Sequence, residues 1–159
     1  MKRQFLILII AGITLSCSTK NGNEDGRLIN HLGRTDTLTL YAQYSECGEW
    51  GGHQESLKIY RGNDDVLWTI YQSDTLNTCE GPIENNRIAL APRTIKLTEG
   101  NQQAIIRYMN DLLDHSLDAE MPSHSGEYFS IRLNDSELVT SRTVHGYKTF
   151  DKLINSVIK

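Results

Sequence analysis

The spacing of apolar residues switches along this chain between two residues and three to four, and that alternation narrows the folds open to it. In TDTLTLYAQY, residues 35–44, Leu38, Leu40, Ala42 and Tyr44 alternate with Thr37, Thr39 and Gln43, the period of a half-buried strand. ESLKIYR, residues 55–61, repeats the pattern with Leu57 and Ile59 inward. GNDD, residues 62–65, has turn composition, and the β-forming run VLWTIYQ follows it directly, so the two runs form a hairpin. RIALAPRTIKLT, residues 87–98, reads as a fourth strand broken by Pro92, which suits an edge or a bulge. The period then lengthens. Thr98 suits an N-cap for a helix starting near Glu99. Ile105, Ile106, Met109, Leu112 and Leu113 mark one apolar face that ends near His115. YFSIRL and ELVTSRTV return to strand character on either side of Asn134 and Asp135. The stretch from Tyr147 to Ile158 closes the chain as a helix with Phe150, Leu153, Ile154, Val157 and Ile158 on one side.

The expected order is therefore ββββ-α-ββ-α. Strands joined by tight turns argue for an antiparallel sheet, and a helix with a single apolar stripe needs such a sheet to bury it. The expectation is an α+β domain over residues 28–159, an antiparallel meander with both helices packed on one face. Ile105, Met109, Leu112, Phe150, Leu153, Ile154 and Val157 should be among its most buried residues.

The first sixteen residues stand apart. Lys2 and Arg3 precede the uncharged run FLILIIAGITL, residues 5–15, which is shorter than the about 20 apolar residues that span a bilayer core. Ser16 and Cys17 follow. This is the layout of a secretory signal peptide, and Thr14 and Ser16 also fit ordinary secretory cleavage. Residues 18–26, STKNGNEDG, lack any hydrophobic residue and read, within a segment 17–27, as a flexible tether.

With Cys17 at its end, the signal resembles that of bacterial lipoproteins. The resemblance implies cleavage before Cys17, acylation of its thiol and a membrane partner held through lipid. Signal, tether and small domain together look like the small lipoproteins of Bacteroidetes-type Gram-negative bacteria. Ser18, next to the cysteine, is similar to what directs lipoproteins of other Gram-negative systems to the outer membrane, which would place the domain in the periplasm or at the cell surface. The resemblance brings no known chemistry with it.

Cysteine number agrees with export. Three cysteines are present; with Cys17 lipidated, Cys47 and Cys79 remain as an even pair in an oxidising compartment. A hairpin centred between Asn63 and Asp64 puts residues whose numbers sum to about 127 opposite one another, and Cys47 and Cys79 sum to 126. The pair is therefore expected to form a disulfide closing a loop of about 31 residues, worth roughly 3 to 4 kcal/mol in the chain-entropy account.

Between the first two strands lies CGEWGGH, residues 47–53. It admits three readings: a disulfide-stapled turn, a ligand or partner surface, or a metal site. The surface reading rests on Trp50 and His53, with Glu49 and Glu55 nearby. The metal reading needs Cys47, His53 and Cys79 with Glu49 or Glu55. No close ligand pair such as C-x-x-C supports it, and export favours oxidation of the thiols. Neither a metal nor another cofactor is expected. Ser123, His124 and Ser125 are sequence neighbours, which does not make a triad. No H-E-x-x-H, G-x-S-x-G or phosphate-cradling glycine loop occurs.

Charge removes another class of partner. The formal charge of −4 becomes about −6 once Lys2 and Arg3 leave with the signal, and no basic run occurs, so nucleic acid is not expected as a partner. The expected function is a membrane-tethered, non-enzymatic binding module for a protein or small ligand, with an inhibitor or immunity protein as its specific form. The alternative is a small metal-dependent or hydrolytic enzyme using residues 47–55.

Overall fold

The computed structural model describes residues 27–80, 83–118, 126–134, 136–143 and 149–158. A short helix α1 (Arg27–Asn30) is followed by strands β1 (Thr37–Gln43), β2 (Gln54–Arg61), β3 (Leu67–Leu76), β4 (Arg87–Ala89) and β5 (Arg93–Lys96). Helix α2 (Glu99–Asp118), strands β6 (Glu127–Leu133) and β7 (Ser136–Thr143), and helix α3 (Thr149–Ile158) complete the order. The strands form one antiparallel seven-stranded sheet ordered β4-β3-β2-β1-β6-β7, with β5 also on the edge of β3. The α+β class and the ββββ-α-ββ-α order are as expected, with the fourth strand split in two.

That split has a local cause. β5 pairs with Trp68–Tyr71 and β4 with Asp74–Leu76, so both lie along one edge of β3. Between them the Leu90 amide still donates to the Ser73 carbonyl at 2.9 Å. Pro92, which has no amide hydrogen, follows where the ladder is interrupted.

Period-two alternation sorts the sheet into two faces. Leu40 lies between Leu57 and Ile131, Leu38 between Ile59 and Leu133, and Ala42 opposite Phe129. Leu38, Leu40, Ala42, Leu57, Ile59, Phe129 and Ile131 are all buried. The opposite face carries Thr39, Tyr41, Lys58 and Arg132, and there Arg132 lies over the Tyr41 ring at 5.9 Å.

Both helices cover the apolar face. α2 is capped by a reciprocal pair: the Thr98 hydroxyl accepts from the Asn101 amide at 3.2 Å, and Asn101 Oδ1 accepts from the Thr98 amide at 2.9 Å. Ile105, Leu112, Phe150, Leu153 and Val157 are buried as expected, while Met109 and Ile154 pack against the core only partly buried. The α2 stripe is rotated from the expected one. Tyr108 is buried against Phe150, ring centroids 5.3 Å apart, whereas Leu113 is 44% exposed. Phe150 also reaches Phe129 of β6. α1 adds Ile29, with Leu32 just beyond it, to the same core. The Arg61 side chain fixes that corner by donating to the Asn30 and Leu32 carbonyls. Cys17 and the rest of the signal and tether, like Ser123, His124 and Ser125, lie outside the described residues.

Candidate functional site

At one end of the sheet, β1 and β2 are joined by the loop that carries CGEWGGH, and its backbone is tightly specified. Gly48 and Gly51 have φ of 63° and 85°, values costly for any side chain. Gly48 opens a single 3-10 turn, Gly48–Trp50, and Gly51 follows it. The Cys47 amide donates to the Gly51 carbonyl at 2.8 Å, and the Gly51 amide to the Gly48 carbonyl at 3.1 Å. A Cβ on Gly52 would sit 2.6 Å from the Tyr44 carbonyl oxygen, so that position requires glycine. The Arg87 guanidinium reaches across from β4 to donate to the Gly52 carbonyl at 3.1 Å.

Cys47 and Cys79 are joined by a disulfide, with their Cα atoms 5.3 Å apart. The hairpin register differs slightly from the expected one. Paired residues such as Glu55 and Ser73 sum to 128, because the turn holds five residues, Gly62 to Val66, with Asp65 at φ 62°. The cysteines lie past the paired segments, where this half-step shift does not prevent closure. Both sulfurs are engaged with each other, so neither is free as a metal ligand, and no group of three or more His, Cys, Asp or Glu placed to hold a metal occurs among the described residues.

His53 and Glu55, two of the four expected contact residues, come together in a cleft of about 590 Å³ beside the disulfide, which Glu46, Tyr71, Asp74 and Leu90 also line. Trp50 stands on the same loop but outside the cleft, 71% exposed. Glu49 belongs to the 3-10 turn, and its side chain lies outside the described residues.

The His53 ring stacks on Tyr44 at 4.2 Å, within 6° of parallel. Its Nδ1 is held by the Glu46 carboxylate, whose other oxygen accepts from the His53 amide at 3.1 Å. A carboxylate–imidazole pair of this kind can orient a general base. Among the described residues, no hydroxyl or thiol hydrogen-bonds to His53.

Tyr44 links this loop to the helices. Its hydroxyl donates to Asp151 of α3 at 2.6 Å and lies 3.3 Å from Glu55 Oε2. Burial, and then the hydrogen bond to Asp151, push the Tyr44 pKa well above the ordinary phenol value. Glu55 Oε1 accepts from the Tyr71 hydroxyl at 2.8 Å. Burial likewise raises Tyr71.

Asp74 closes another side of the cleft. It accepts from the Gln54 amide at 2.6 Å and pairs with Arg87 at 3.7 Å. With its amide oxygen turned toward Arg87, Gln54 also accepts from the Tyr41 hydroxyl at 2.6 Å.

The sequence does not single out Glu46, Asp74, Arg87 or Asp151, and marks Tyr44 only as one of the alternating apolar positions of the first strand. The observed hairpin register, continued one residue beyond Glu55–Ser73, puts Asp74 opposite Gln54; the register expected from the sequence puts it opposite His53. No family model, curated protein or solved structure matches the chain.

Proposed function

We propose that this protein is a membrane-tethered binding module, anchored through lipid on Cys17 at the outer membrane, that engages a partner protein through the loop of residues 47–53. The observation that carries the reading is Trp50. A large aromatic side chain held out into solvent is a recurrent centre of binding energy. Here the loop beneath it is fixed by the disulfide, by two left-handed glycines and by Arg87. A contact residue on a fixed loop loses little conformational entropy on binding. An inhibitor or immunity protein is the specific form of this reading, since a small disulfide-stapled α+β domain suits blocking another protein's cleft. The cleft beside the loop also leaves room for a small ligand.

The test is photo-crosslinking in the native envelope from full-length protein carrying benzoylphenylalanine at position 50, which keeps a large aromatic ring there, with position 138 as control. Leu138 is also exposed, at 48%, but lies on β7. The expected result is a discrete adduct from position 50 that position 138 does not give, and loss of partner capture in Trp50→Ala at unchanged thermal stability. Identical capture by wild type and Trp50→Ala would overturn the reading.

A further inference from the structure

We propose that the cleft beside Trp50 receives a basic side chain, lysine or arginine, from the partner polypeptide, and that Glu55 is its ion-pair partner. This rests on the reading of the loop as a partner surface.

Three acidic residues, Glu46, Glu55 and Asp74, line the cleft, and no lysine or arginine lines it among the described residues. Two of the three are already engaged. Glu46 is held by His53, and Asp74 by Arg87 and the Gln54 amide. Glu55 differs: among the described residues its contacts are hydroxyls, Tyr71 donating to Oε1 at 2.8 Å and Tyr44 lying 3.3 Å from Oε2. No cation lies within ion-pair distance of it among the described residues. A hydroxyl orients a carboxylate but does not cancel its charge. Tyr44 has one hydrogen, and its shorter contact is to Asp151, so Glu55 Oε2 keeps acceptor capacity. Glu55 is half-buried, where attraction to a cation exceeds that on an open surface.

The cleft also suits the stem of such a residue. Leu76 and Leu90 line it alongside the polar groups, and the methylene chains of lysine and arginine cover apolar surface while their heads stay polar. The head would meet Glu55, and the partner's backbone would pass over the loop that carries Trp50; that loop contributes Glu46, His53 and the Cys47–Cys79 bridge beside the cleft.

The experiment is an NMR titration of the full-length, isotope-labelled protein with N-acetylated, C-amidated tripeptides Gly-Lys-Gly, Gly-Arg-Gly, Gly-Leu-Gly and Gly-Glu-Gly. The two basic peptides are expected to shift the amides of Glu55, Tyr71 and Ser73, and the other two to leave them in place. Raising salt should weaken the response. E55Q, which keeps an acceptor for Tyr71, should weaken binding about fivefold. S73K places an ammonium opposite Glu55 in the β2–β3 pair and should abolish it. No response to basic peptides, or equal affinity in wild type, E55Q and S73K, would overturn the proposal. Capture that depends on Trp50 without any response to basic peptides would remove this inference alone. Binding of basic peptides with unchanged capture by Trp50→Ala would remove the Trp50 surface and keep the cation site.

Discussion

A single phenol, Tyr44, joins the loop, the sheet and α3, because its hydroxyl sits between Glu55 and Asp151 while its ring carries His53. Such a group is most useful to the fold while it keeps its proton. Three tyrosines at this end have raised pKa values, all mainly through burial: Tyr44, Tyr71, and Tyr41, which is pushed up to about 12. In the unfolded chain phenols titrate near about 10. Above that pH the unfolded chain binds fewer protons than the folded one, so stability falls as pH rises. The tyrosine contribution is therefore complete below pH about 10 and declines from there toward about 12, where Tyr41 ionises in the folded chain too. Melting temperatures of wild type and Tyr44→Phe measured from pH 8 to 11 should converge as pH rises, because the variant lacks one of the three phenols. Parallel curves would show that Tyr44 takes no part in the decline.

Among the elements, α3 closes the core with three buried side chains in ten residues, Phe150, Leu153 and Val157. Leu153→Ala should cost about 2 to 5 kcal/mol, read from urea unfolding, while Leu113→Ala on the exposed side of α2 should stay within about 0.5 kcal/mol. Equal effects would mean that the rotation of α2 is misassigned. This contrast marks what could be read from sequence. Strand alternation and helical stripes are local, and so was the cysteine pair straddling a hairpin. Which residue centres a stripe is set by the neighbour: Tyr108 turns inward because Phe150 is there to meet it, and Leu113 is left outside. The cleft was less legible for the same reason. Glu55 was a candidate by position, but its surroundings come from β1, β3, the 47–53 loop and α3. Tyr44 and Asp151 are 107 residues apart, and no spacing rule connects them.

At the scale of the whole molecule, the anchor is the proposal that sequence alone motivates. Labelling cells with a fatty-acid analogue should mark the wild-type protein and not Cys17→Ala, and the variant should leave the membrane fraction. An unlabelled wild type in the soluble fraction would end the lipoprotein reading. The sheet order also has a consequence in time. β1 is paired on one side by β2, its neighbour in sequence, and on the other by β6, which is synthesised only after β3, β4, β5 and α2. The β2–β3 hairpin is local and its contacts close early, whereas the β1–β6 ladder must wait for a long loop to be drawn together. Cys47 and Cys79 both precede α2, so in an oxidising compartment the first half of the chain can be covalently locked before the second half has folded. Until β6 arrives, the hydrogen-bonding edge of β1 stays open and its apolar face lacks α3. During that interval the folding chain is most exposed to capture by another open strand, and the ladder in the middle of the finished sheet has to wait for all of the strands on one side of it.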